Sequence, residues 1–257
     1  MPELARRQML VGTLAVTIAT VTRSHAAAQS SEIRVIAANA VKDAYVTLVA
    51  SFETASGHKV ATTWAGTEGA TRRVMAGEAY DVVIIGSRNI DQLVAAGKLT
   101  AGSRADFATS RVGVAIRAGL PRPDVSTSEA VKAAVLAAGS VAYSAGPSGA
   151  YVAELFKTMG ITERIAAKVR QPSSGAEVAQ ILARGEVDIA FAQVSEFLEV
   201  AGLVNLGPIP ASIQNITTYS AGQHVAAASP AAAALIKHLV APDAAAAIRR
   251  MGMDPVP

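Results

Sequence analysis

Four short turns carry the residue types that could bind or transform a small anion: Ala38-Asn39-Ala40, Gly66-Thr67-Glu68-Gly69, Pro147-Ser148-Gly149 and Ser173-Ser174-Gly175. Each precedes a segment with helical spacing. Val152, Leu155, Phe156 and Met159 fall at i, i+3, i+4 and i+7, and Val178, Ile181 and Leu182 repeat the pattern. Small residues at a helix start leave backbone N–H groups open to a ligand, and the macrodipole favours negative charge there. For any one turn, ordinary capping by Ser explains the same residues; the argument for binding is that the design recurs. Lys42 beside the first turn and Arg72 and Arg73 after the second add cations, and a guanidinium matches a carboxylate bidentately. Glu68 at a helix start is either a cap or, if it faces a cleft, a general base.

The elements that must position these turns alternate. Ile33–Ala38, His58–Trp64 and Asp81–Ile85 read as strands, with helices over 41–56, after Gly69 up to Met75, and over 90–96. The continuous apolar run in the third strand fits a parallel sheet covered on both faces. The expectation is an α/β fold whose ligand lies beyond the carboxyl ends of the strands. The pattern restarts after the Gly119–Pro123 loop: a helix over 128–138, the two turn–helix units, a closing segment at 204–210, then strand material at 217–221 and 224–227. Two Ala-rich helices, 230–240 and 243–251, close the chain. This divides the chain into an export signal at 1–28, a first lobe from 29–110 with 213–257, and a second lobe from 111–212.

Arg6-Arg7, the uncharged run Met9–Val21 and the small residues Ala26-Ala27-Ala28 form the expected signal, cleaved near 26–28 and directing the protein to the periplasm. The run is shorter than the ~20 residues of a membrane anchor. Of 23 basic and 20 acidic residues, residues 1–28 hold three and one, so the net charge falls from +3 to +1 without them. Such a balance, with no basic stripe, argues against nucleic acid. The chain has no Cys, which removes disulfides and thiolate chemistry. His58, His224 and His238 are too scattered to hold a metal, and neither a Gly-x-Ser-x-Gly elbow nor a phosphate loop is present. No cofactor and no metal are expected, and a monomer is.

The segments VIAANAVKDAY, TTWAGTEGATRRVMAGEAYDVVI, AGPSGAYVAELFKTMGI, ARGEVDIAFAQVSE and LIKHLVAPDAAAAIRRMG resemble, in order and spacing, the periplasmic molybdate-binding proteins of ABC transporters. The resemblance covers nearly all of residues 29–257. It implies the two-lobed type II solute-binding fold, each lobe a mixed, mostly parallel sheet flanked by helices, with the ligand cleft between them and an ABC permease as partner. It also implies ligand positions. The family's first-turn serine falls at Ala40, its second at Thr67, its backbone donors at Ser148 and Gly175, and its tyrosine at Gln193. Two of three side-chain hydroxyls are thus replaced, and a dry anion needs every donor. The expected ligand is therefore an organic polycarboxylate before molybdate, held by Asn39, Ala40, Lys42, Thr67, Arg72, Ser148, Gly149, Ser174, Gly175 and Gln193. The leading expectation is a binding protein. The rival is an enzyme similar to aconitate isomerase, which resembles this family in fold and size, with Glu68 as its base.

Overall fold

The structure, a computed structural model, describes residues 32–198 and 200–256; the expected export signal lies outside them. Strand β1 (Glu32–Ala38) runs into a one-turn 3-10 helix at Asn39–Val41 and then α1 (Lys42–Ser56). β2 (Lys59–Ala65) leads to α2 (Thr67–Met75), and β3 (Val82–Gly86) to α3 (Ser87–Ala95). β1 pairs in parallel with both β2 and β3, and β3 is buried along its whole length. A fully apolar strand is what a central parallel position demands.

β4 (Ala105–Arg117) is long enough to serve two sheets. Its first half pairs antiparallel with β9 (Ile216–Gln223), which in turn borders β3. From Val112 onward it pairs instead with β7 (Ile189–Gln193) and β8 (Leu203–Pro208). Between these lie α4 (Ser128–Ala137), β5 (Val141–Tyr143), α5 (Pro147–Thr158), α6 (Thr162–Ile165), β6 (Val169–Arg170) and α7 (Gly175–Ala183). β5 pairs in parallel with β7 and β6. The C-terminal segment forms α8 (Ala232–Leu239), α9 (Ala245–Arg250) and β10 (Asp254–Pro255), the last paired with β4. Each sheet is therefore mixed, parallel where βα units build it and antiparallel where β4 and β9 pass through.

The apolar side chains gather separately on the two sides of this passage. Ile33, Tyr45, Ile84, Phe107, Leu235 and Ile248 belong to one core. Val114, Phe156 and Phe191 belong to another, with a third cluster around Val178 and Leu182 beneath α7. At the passage, Gln214 grips the backbone of Val112: its Oε1 accepts the Val112 N–H at 2.8 Å and its Nε2 donates to the Val112 carbonyl at 3.1 Å. That side chain adds to the backbone bonds that the Val112 N–H makes to the Asn215 carbonyl at 3.4 Å and the Val112 carbonyl accepts from the Ile209 N–H at 3.0 Å. No helix among the described residues is long and apolar enough to cross a membrane.

Candidate functional site

All four turns meet. Asn39, Ala40, Gly66, Thr67, Ser148 and Ser174 line one small cavity, together with Ser144, Gly175, Glu196 and Tyr219. The turns of the two lobes touch. Ser195 Oγ donates to the Ala40 carbonyl at 2.8 Å, and a Cβ on Gly66 would stand 2.9 Å from the Ser173 carbonyl. The cavity is about 20 Å³, room for roughly one water. It is a closed cleft.

The helix starts facing it are largely open. The 3-10 turn at Asn39–Val41 and the starts of α2 and α5 have no side-chain cap, so their first N–H groups remain available as donors. Only α7 is capped, by Ser174 Oγ accepting from the Glu177 N–H at 3.3 Å. Thr67 is buried, and its hydroxyl accepts from the Gly86 N–H at 3.4 Å. Gly149 is set back from the cavity, where its missing Cβ admits the Ser144 carbonyl.

Five more candidates stand elsewhere. Lys42 is exposed, its ammonium 5.8 Å from the centroid of the Trp64 ring. Arg72 is exposed, because five residues after Thr67 place it about 140° around α2, away from the face that carries Thr67 and Thr71. Arg73 is held by Glu78 at 2.7 Å. Gln193 is buried behind the lining, with its Nε2 donating to Thr217 Oγ1 at 2.9 Å. Its side chain also meets the hydroxyl of Tyr219, so a phenol from β9 lines the cavity above it. Glu68 lies in a second, larger pocket of about 410 Å³, where its Oε1 accepts from Asn89 Nδ2 at 3.1 Å. Arg88, Asn215 and Thr217 share that pocket, and Pro147 borders both.

Glu196 and Tyr219 are the residues that sequence reasoning missed. Glu196 sits in the 3-10 turn after β7, and its Oε2 accepts from the Gln193 N–H at 3.2 Å. A Cβ on Gly175 would overlap this carboxyl, so the glycine is what lets the two meet. Although the residue keeps some exposed surface, its carboxyl is enclosed by protein. Burial pushes its pKa up to about 7, against the opposing pull of the Gln193 and Ala176 N–H groups. Burial also raises the Tyr219 hydroxyl well above its ordinary range, and the neighbouring Glu196 charge adds to this. Among the described residues, no Lys or Arg lines the cavity.

Residues 33–254 match the bacterial extracellular solute-binding protein family. The chain belongs to that family. It is 38% identical over 187 residues to an aconitate isomerase from Pseudomonas sp., covering 72% of this chain and 71% of that protein. Its fold is similar to the periplasmic molybdate-binding protein of Azotobacter vinelandii, with a TM-score of 0.75 at 19% identity over 88% of this chain and 99% of that one. It is also similar to the tungstate ABC transporter protein of Geobacter sulfurreducens, with a TM-score of 0.66 at 16% identity over 85% and 98%. The two-lobed solute-binding fold expected from the sequence is the one observed.

Proposed function

We propose that this chain is an exported, periplasmic protein that closes on a small organic polycarboxylate and moves an allylic proton on it, interconverting trans- and cis-aconitate. One observation carries the reading: the cavity where the turns converge is completed by a carboxyl and no cation. An inorganic dianion pressed against that carboxyl meets a like charge in a poorly solvated place, which costs several kcal/mol at short range. An organic polycarboxylate meets the same repulsion unless the carboxyl carries a proton, but unlike an inorganic dianion it brings a C–H proton on which that carboxyl can act. The N–H groups at the open helix starts then stabilise the charge that develops as the proton leaves. The 38%-identical isomerase supports the same choice.

The lobes, taken as 29–110 with 213–257 against 111–212, would part at Val112 and Gln214 to admit such a ligand, since a tricarboxylate exceeds the closed cavity. Arg88 in the outer pocket is the cation best placed to take a carboxylate that remains outside the closed turns.

An absorbance assay with each aconitate isomer, run beside a thermal-shift screen, tests this. The expected result is turnover, with a raised midpoint for tricarboxylates and none for molybdate. Molybdate alone raising the midpoint would make the protein an oxyanion receptor. Binding of tricarboxylates without turnover would make it a carboxylate receptor serving an ABC permease, the second reading that family membership supports.

A further inference from the structure

We propose that Glu196 is the catalytic acid–base of this site, the group that takes the proton from the substrate and gives one back. The inference rests on the isomerase reading above and adds to it the residue that does the chemistry.

Three features of the geometry single it out. Glu196 is the one carboxyl among the residues lining the closed cavity, whereas Glu68 is in the outer pocket and engaged by Asn89. It is fixed from two sides: the Gln193 N–H holds Oε2, and the start of α7 packs against the carboxyl through the bare Cα of Gly175. Tyr219 stands beside it as a hydroxyl that keeps its proton, so it can donate a hydrogen bond without competing as a base. An enclosed carboxyl that titrates near neutrality is matched to proton transfer from carbon, because both its forms are populated at the working pH.

The step balances. The Glu196 carboxylate removes a proton from the methylene carbon of trans-aconitate. The released C–H pair becomes the new double bond to the central carbon, and the old double-bond pair moves to the far carbon. That carbon takes a proton from the Glu196 carboxylic acid, which restores the carboxylate. No oxidant, reductant or metal takes part in this exchange. Charge spread over the allylic system and its carboxylates is met by the helix-start N–H groups.

The test compares the wild type with Glu196→Gln and Glu196→Asp in the aconitate assay, with trans-aconitate binding read by thermal shift. Glu196→Gln should lose ~100- to 10,000-fold in kcat while trans-aconitate still raises its midpoint. The wild-type kcat should rise with pH above about 7, as Glu196 in the complex gives up its proton, and that limb should vanish in the Gln variant. Glu196→Asp, which keeps the charge but shortens the reach, should retain binding and lose part of kcat; it carries the test if the Gln variant fails to fold. A wild type that turns over beside a Gln variant within a few-fold of it, or an Asp variant with unchanged kcat and pH profile, would overturn the assignment and leave the isomerase reading standing. A wild type inactive on both isomers would overturn the reading and the assignment together.

Discussion

The carboxyl of Glu196 has a thermodynamic consequence separate from any reaction. Its pKa moves from 4.5 to about 7 on folding because burial disfavours the charged form. A raised folded-state pKa means that the native protein binds more protons than the unfolded chain between these values. Stability from this group is therefore fully present below about pH 4.5 and is lost as pH rises through about 7. The size is roughly 3 kcal/mol for such a shift. Urea titrations of the wild type and Glu196→Gln at pH 5 and pH 8 should show the wild type losing stability relative to the variant as pH rises; parallel curves would mean that the carboxyl is solvated. Gly175 makes the same contact testable from the other side. Gly175→Ala puts a methyl where the carboxyl lies, and displacing a packed group costs about 1–3 kcal/mol. Its unfolding midpoint should fall and the Glu196 titration should shift; a variant unchanged in both respects would contradict the contact.

At the scale of elements, the site is built by bringing uncapped helix starts together, and one glycine governs how near they come. Gly66 has φ −71°, an ordinary backbone conformation, so a side chain there is unstrained in its own turn. Its constraint is the opposite turn, with the Ser173 carbonyl 2.9 Å and the Ser174 Cβ 3.0 Å from any added Cβ. Gly66→Val should therefore leave each core folded, with an unliganded midpoint within a few degrees of wild type, yet abolish the midpoint rise given by a tricarboxylate. A ligand shift of wild-type size would show that closure does not require these turns to touch. The four turns were legible because periodic helices and Ser/Gly/Pro clusters are local signals. The site's centre was not. Glu196 reads as one more polar residue after a strand, and only folding brings it against Gly175, twenty-one residues earlier, and Tyr219, on a different strand. Lys42 and Arg72 misled for the converse reason: proximity in sequence to a turn does not fix the face of the helix on which a side chain emerges. The two-residue strands β6 and β10 left no period to read, and β10 finds its partner in β4 more than a hundred residues away.

For the whole molecule, closure and protonation are one equilibrium if Glu196 faces the ligand. The closed cleft places an anion beside a carboxyl with no cation among the lining residues, so the anion binds well only to the form in which Glu196 carries its proton. The apparent dissociation constant is the intrinsic one divided by the fraction of protein in that form. Below pH 7 that fraction is near one. Above it the fraction falls about tenfold per pH unit, and the affinity falls with it. Citrate, which lacks the double bond that the reaction moves, is a suitable probe. Isothermal titration from pH 6 to pH 8.5 should show wild-type affinity declining towards tenfold per unit above pH 7, with a proton taken up on binding that appears as a dependence of the heat on buffer ionisation. Glu196→Gln, neutral at every pH, should bind citrate with an affinity that changes only as the ligand's own charge changes, and any titration of citrate itself is common to both proteins. Equal pH dependence in the two would separate binding from Glu196 and place the anion away from the cavity where the four turns meet.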